Sequence, residues 1–200
     1  MKKIIILILI LVVVGIVAVF AFSPKPDENI PTVQIDENIS TDENMQSSDT
    51  QNESDTSLSL RGRRYNASIS FKGFGPGKEH EGSIKTVNST FATDESMVFS
   101  GEIIADMNTI STEIDLLTND LKSERFFDTS TYSEAKFVVV SNTESDVTGD
   151  MTIHGVTKRI TAPYTTTEEG FSSNFNIDMK DFGINQTLAN EVIELTINLN

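Results

Sequence analysis

Hydrophobic and polar residues alternate along three stretches of the chain. Apolar residues occupy every second position of 66–72, 174–179 and 193–199, and polar residues lie between them. This period of two is typical of β-strands that bury one face. Turn residues separate five further stretches, which have a weaker pattern and are also predicted as strands: 80–92, 96–107, 135–141, 145–153 and 156–167. The pattern therefore predicts eight strands.

One segment departs from the strand pattern. Leu116, Leu117 and Leu121 recur at helical spacing, and Ser111 or Thr112 is suited to cap the start of a helix. Many short strands with a single helix are typical of a sandwich or a closed antiparallel barrel, and not of a parallel sheet. The predicted fold class is therefore all-β. An eight-stranded barrel can hold one small ligand in its interior.

The start of the chain indicates its compartment. Lys2 and Lys3 precede 4–22, a segment without charged or polar side chains. A helix of this length matches the hydrocarbon core of a bilayer, so we expect an N-terminal transmembrane anchor. The positive-inside tendency places residues 1–3 in the cytoplasm and the rest outside the cell membrane. Cleavage after Ala21 is the alternative, and would make 4–22 a signal peptide and the domain secreted or periplasmic.

The composition changes after the apolar segment. Residues 23–60 are rich in Pro, Asp, Glu, Asn and Ser, contain Lys25 as their single basic residue, and have few large apolar side chains. Such a segment cannot bury enough apolar surface to offset the entropy lost on ordering. We expect a disordered acidic linker over 23–60, followed by one β-barrel domain over 61–200.

Charge and residue content narrow the function classes. The chain carries a formal net charge of -15, which argues against nucleic acid as a partner because phosphate binding needs clustered Lys and Arg. It has no cysteine and only two histidines, His80 and His154, so a thiolate or histidine-rich metal site is not expected. No catalytic residue and no cofactor are predicted. An enzyme would need one of the two histidines beside a carboxylate in a cleft.

Several motifs, in order along 61–200, resemble one family. They are Ser68–Gly73 with His80–Gly82, Gly101–Ile110, Leu121–Asp128 with Tyr132 and Ala135–Phe137, Gly149–Lys158, Asp181–Ile184 and Val192–Leu199. By these motifs the domain resembles the YceI-like polyisoprenoid-binding proteins. Two positions depart from the family pattern. Met179-Lys180 stands where many members carry an Arg before Asp-Phe-Gly, and Phe71-Lys72-Gly73 stands where others carry an aromatic-rich Lys-His pair.

The resemblance implies a lipocalin-like antiparallel barrel with an apolar tunnel for an isoprenoid chain, such as a polyprenyl phosphate or the tail of an isoprenoid quinone. The implied function is that of an extracytoplasmic binding or carrier protein, and the bound lipid or quinone would be cargo. The alternative is a surface-displayed interaction or stress-response module whose barrel is filled by its own side chains. The oligomeric state, including a homodimer, is left open by the sequence.

Alternation assigns an apolar lining for the tunnel that the resemblance implies. The assigned residues are Ile69, Phe71, Ile84, Phe99, Ile103, Leu117, Leu121, Phe126, Phe127, Phe137, Val139, Ile153, Tyr164, Phe175, Ile177, Phe182 and Leu195. His80 and His154 are assigned to a polar mouth, and hydrogen bonds within their own turns are the competing interpretation. Phe126 and Phe127 either cap one end of the tunnel or plug the core below the helix.

Overall fold

The structure is a computed structural model that describes residues 23–36, 63–185 and 189–200. These residues form twelve strands, one α-helix, α1 (Asp115–Lys122), and a 3-10 helix (Met179–Phe182). The strands are β1 (Gln34–Asp36), β2 (Ala67–Gly75), β3 (Lys78–Ser89), β4 (Ala92–Thr93), β5 (Phe99–Ser100), β6 (Glu102–Thr112), β7 (Glu134–Asn142), β8 (Asp146–Ile153), β9 (Val156–Pro163), β10 (Thr165–Thr166), β11 (Phe171–Asp178) and β12 (Val192–Leu199). The predicted transmembrane segment 4–22 lies outside the described residues.

The described strands form an all-β domain built on one curled antiparallel sheet. Ten of them follow the order β1-β9-β8-β7-β6-β3-β2-β12-β11-β10, and β4 pairs with β5 in a separate hairpin. The predicted number of eight strands is wrong. Some predicted stretches are interrupted: 96–107 breaks into β5 and β6 at Gly101, which has φ 106°. A Cβ at Gly101 would lie 2.4 Å from the Thr90 carbonyl oxygen, so no other residue fits without a backbone shift.

Helix α1 begins later than the sequence indicates. Ser111 and Thr112 belong to β6, so the prediction that either residue caps the helix is wrong. The helix starts at Asp115 after Ile114, whose side chain makes no capping hydrogen bond. The Thr112 backbone N–H instead donates to Thr118 Oγ1 at 2.9 Å. Only two residues therefore separate the strand from the helix. The Thr118 side chain of the helix accepts the hydrogen bond from the last backbone N–H of the strand.

The two ends of the curled sheet differ. One end carries the β4–β5 hairpin and the β7–β8 turn, and five aromatic rings with centroids 4.9 to 5.6 Å apart fill it. These rings are Tyr65, Phe91, Phe99, Tyr164 and Phe171. The other end, called the rim below, carries the β2–β3 hairpin and α1. These rings leave little free space at the aromatic end, and the larger interior space lies towards the rim.

Residues 23–36, called the strap below, are ordered against the domain. The prediction of a disordered linker is wrong for these residues. The rest of the predicted linker, 37–60, lies outside the described residues. Val33 is only 7% exposed and belongs to the main hydrophobic core. The Asp27 backbone N–H donates to Glu194 Oε1 at 2.8 Å. One buried valine and a set of backbone hydrogen bonds therefore order a segment that is polar in composition.

The strap joins the two edges of the curled sheet. Its strand β1 pairs antiparallel with β9, and Thr32, just before β1, forms a parallel bridge with Asn176 in β11. Asn176 binds the strap at four points. Its N–H donates to the Pro31 carbonyl at 2.8 Å, its carbonyl accepts from the Val33 N–H at 3.0 Å, and its Nδ2 donates to the carbonyls of Asp27 and Ile30 at 3.1 and 2.9 Å. The gap between β9 and β11 is thus bridged by a segment from far away in the sequence.

Across residues 23–36, 63–185 and 189–200, no helix combines the length and the apolar composition that a membrane span needs.

Candidate functional site

An apolar cavity of about 170 Å³ lies inside the curled sheet, towards the rim. Leu117 and Leu121 of α1 cover it, and inward residues of β2, β6, β7, β8 and β12 form its wall. Phe126 and Phe127, which follow the helix, also line it and pack against the hydrophobic clusters on both sides. The pair therefore belongs both to the cavity wall and to the core below the helix. A cavity with such a lining selects apolar ligands.

Two glycines make room for phenylalanine rings on the cavity wall. Gly82 faces Phe71 across the β2–β3 pairing, and a Cβ at Gly82 would lie 2.2 Å from the Phe71 ring. Gly149 lies diagonally across the β7–β8 pairing from Phe137, and a Cβ there would lie 2.4 Å from the Phe137 ring. Each ring occupies the space next to a glycine, because its neighbour has no side chain. These contacts hold two large side chains against the neighbouring strand at the cavity wall.

Three polar side chains are among the residues that line the cavity: His80, Lys136 and Asn190. His80 Nδ1–H donates to Glu113 Oε1 at 2.6 Å, and Lys78 Nζ lies 3.4 Å from the same oxygen. The hydrogen bond from His80 holds the pKa of Glu113 below its usual value, so this carboxylate stays ionised. The arrangement ties the β2–β3 hairpin to Glu113, two residues before α1, and it is also the histidine–carboxylate contact that an enzyme would need.

A second, smaller cavity of about 30 Å³ lies near the aromatic end. Four side chains line both cavities and therefore stand between them: Ile103, Phe137, Met151 and Ile197. The interior is divided at these four side chains, and the continuous tunnel expected from the sequence is not formed in this structure.

The structure places most of the predicted lining on the larger cavity. Eleven of the predicted residues line it: Ile69, Phe71, Ile84, Ile103, Leu117, Leu121, Phe126, Phe127, Phe137, Ile153 and Leu195. Phe99, Tyr164 and Phe175 line the smaller cavity instead. Val139, Ile177 and Phe182 line neither of the two, and Ile177 and Phe182 are fully buried in the core. Alternation identifies the inward face of a strand but not the place where the packing leaves space.

Only one of the two histidines predicted at a polar mouth lines the cavity. His80 lines the cavity, whereas His154 does not. His154 sits in the β8–β9 turn with φ 51°, and its ring lies 4.5 Å from that of Tyr132. The next residue, Gly155, has φ 74°, and a Cβ there would lie 2.5 Å from Tyr132. His154 therefore lies in the turn, packed against Tyr132 and away from the cavity.

Sequence reasoning missed several residues of the wall. They are Gly73, Phe74, Gly75, Ala105, Met107, Ile110, Ala135, Lys136, Met151, Met179, Ala189, Asn190, Ile193 and Ile197. Part of this set was visible in the pattern, because Ala105 and Met107 continue the alternation of Ile103 in β6, and Ile193 and Ile197 flank Leu195 in β12. Gly73, Phe74 and Gly75 are consecutive and carry no such signal.

Comparison with known proteins identifies the family. The model of the YceI-like domain matches residues 50–200. The chain belongs to the YceI-like family. Protein YceI of Escherichia coli O157:H7 is 30% identical over 59% of this chain and 71% of its own length. A UPF0312 protein of Pseudomonas fluorescens is 32% identical with the same coverage of both chains.

Solved structures of two other proteins have the same fold. BcnA of Burkholderia cenocepacia superposes with a TM-score of 0.58 at 18% identity, covering 66% of this chain and 94% of BcnA. A polyisoprenoid binding domain from Saccharophagus degradans, implicated in plant cell wall breakdown, superposes with a TM-score of 0.51 at 13% identity, covering 69% and 94% of the two chains. The curled sheet with its single helix in the described residues is thus the YceI-like, lipocalin-like architecture.

Proposed function

We propose that this protein binds and carries an isoprenoid lipid outside the cytoplasm, tethered to the cell membrane through residues 4–22. The observation that carries the proposal is the cavity beneath α1, whose wall is made of aliphatic and aromatic side chains and whose few polar groups lie at the rim. Membership of the YceI-like family and the likeness to the polyisoprenoid binding domain support the choice of ligand class. The proposed role is binding without a catalytic step.

The physical basis of affinity is the burial of the isoprenoid chain. Each methylene that leaves water contributes about 0.8 kcal/mol, so a wall of Ile, Leu, Met and Phe binds a hydrocarbon tail without needing a polar anchor. The 170 Å³ cavity has room for a short part of such a chain. A longer chain reaches the smaller cavity by displacing the four side chains that separate the two spaces. A polar head group would remain near His80 at the rim.

Native mass spectrometry tests the proposal directly. The chain beginning at Ser23, which keeps the strap, is purified from a host that makes isoprenoid lipids and is then extracted with solvent. We expect an adduct of one lipid per chain, with an isoprenoid in the extract. A bare mass that persists after incubation with isoprenoid quinones and polyprenyl phosphates would contradict the proposal. It would favour the interaction module with a filled interior.

We expect Met151→Ala to lengthen the isoprenoid chains that the protein retains. Met151 lines both cavities and is 5% exposed, so its truncation opens part of the partition that the four side chains form between the two spaces. Met107→Ala is the matched control, because Met107 is equally buried but lines only the larger cavity. Each change costs about 2–5 kcal/mol of stability, so both are compared at low temperature. Mass spectrometry of the extracted lipids measures the lengths; an unchanged length distribution in Met151→Ala would remove this residue as a divider.

A further inference from the structure

The strap enters the domain at the rim of the larger cavity. Ser23 Oγ accepts a hydrogen bond from the Gly77 N–H at 3.2 Å. Gly77 has φ 73° and lies in the turn between β2 and β3, and this hairpin contributes Gly73, Phe74 and Gly75 to the cavity wall. The first described residue of the chain is therefore held beside the cavity, on the side away from the aromatic end.

The apolar segment 4–22 ends one residue before this contact. Phe22 is its last residue and Ser23 follows directly, so one peptide unit of about 3.8 Å separates the proposed anchor from the rim. A flexible spacer would let the domain take any orientation on the membrane. A connection of this length does not, provided that the strap stays bound to the domain.

The strap is attached along its length and not only at Ser23. Asp27 binds Glu194, Asn176 binds four backbone groups of the strap, and β1 pairs with β9. The attachments lie on β12, β11 and β9, so they fix the direction in which the chain leaves the domain. The orientation of the domain relative to residue 22 is therefore set by the fold.

The same rim exposes apolar side chains. Leu116 on α1 is 79% exposed and Ile114 is 37% exposed. Glu113, next to Ile114, binds both Lys78 and His80 of the hairpin, which makes the helix start and the hairpin one continuous surface. Val98, at the aromatic end, is also exposed, so exposure alone does not select an end. The position of Ser23, next to the rim, selects the rim as the end that faces the membrane.

From these contacts we propose that the strap holds the rim, with Leu116 and Ile114, against the surface of the bilayer in which residues 4–22 are embedded. The partner of this surface is a phospholipid bilayer. The cavity then faces the lipid phase, so a hydrocarbon tail can pass between membrane and cavity with little exposure to water. This inference rests on the proposed anchoring of the chain and adds an orientation to it.

Site-specific fluorescence measures the orientation. The chain has no cysteine, so Leu116→Cys and Val98→Cys each introduce a single labelling site, at the rim and at the aromatic end. The full chain is labelled with an environment-sensitive fluorophore and reconstituted into phosphatidylcholine vesicles that contain nitroxide-labelled lipids. We expect a blue-shifted emission and loss of most of the fluorescence for the label at 116, and an unquenched, solvent-like signal for the label at 98. Equal quenching of the two labels, or stronger quenching at 98, would overturn the orientation.

A longer connection tests the role of the strap. Inserting about 20 Gly and Ser residues between Phe22 and Ser23 adds a flexible reach of roughly 25 Å. We expect this insertion to abolish the quenching of the label at 116 while vesicle flotation still recovers the protein. Quenching that survives the insertion would show that the strap does not set the orientation. Failure of the parent chain to float with the vesicles would overturn the inference.

The test separates this inference from the proposed function. Native mass spectrometry of the same labelled proteins, released in detergent, reports the isoprenoid adduct independently of the fluorescence. A quenched label at 116 without an adduct would refute the carrier function and leave the orientation standing. An adduct without quenching would refute the orientation and leave the carrier function standing.

Discussion

Removal of the strap is expected to lower the free energy of unfolding by about 2–4 kcal/mol, since it exposes a buried valine site and leaves backbone groups of β11 without partners. Val33 lies in the main core, and the N–H and carbonyl of Asn176 both bind strap residues. The free edges of β9 and β11 would also become available for pairing with other chains, so we expect the shortened protein to aggregate more readily.

Denaturant unfolding of two chains checks this expectation. One chain begins at Ser23 and keeps the strap, and the other begins at Arg63. Equal midpoints and slopes for the two chains would show that the strap adds nothing to the stability of the domain. Such a result would also remove the basis for an oriented attachment to the membrane.

A single substitution gives a finer test of the same contacts. Asn176→Ala removes the two hydrogen bonds from Nδ2 to the carbonyls of Asp27 and Ile30. We expect it to lower the free energy of unfolding by about 1–3 kcal/mol. Asn174→Ala, two positions earlier in β11, is the matched control. Asn174 is exposed and accepts one hydrogen bond from Thr196, so we expect almost no change.

The strap also shows which part of the fold the sequence could not predict. Alternation identified β2, β11 and β12, because those strands each bury a row of side chains and the row is visible in the sequence. The strap buries only one large core residue, Val33, in a polar stretch. Its order comes from backbone groups and from Asn176 and Glu194, which lie more than 140 residues away. The composition of the strap gives no indication of such contacts.

The sequence predicted which side chains of the candidate site face inward, but not which of them border the cavity. Alternation correctly assigned Ile69 and Phe71 to the inner face of β2, and they line the cavity. The same rule assigned Ile177 to the tunnel, but Ile177 is fully buried in packed core. Which inward positions border a void depends on how large the opposing side chains are. Gly82 and Gly149 decide this for Phe71 and Phe137, and the glycines lie on neighbouring strands.

Filling the cavity is expected to abolish isoprenoid capture while the fold is kept. Ala105→Phe places a ring in the 170 Å³ space, because Ala105 is a buried wall residue between Ile103 and Met107 on the inner face of β6. The added volume competes directly with the hydrocarbon chain. Overpacking costs about 1–3 kcal/mol, which is small beside the loss of the whole binding space.

Adduct formation in native mass spectrometry and thermal unfolding are measured on the same samples. Val140→Phe is the matched control, because it adds the same side chain at a position that is 48% exposed on β7 and outside both cavities. Should Ala105→Phe unfold, Ile84→Phe makes a smaller change to the same wall. A folded variant at position 105 that retains a stoichiometric adduct would place the lipid elsewhere. In that case the space beneath α1 would be a packing defect of the barrel and not the binding site.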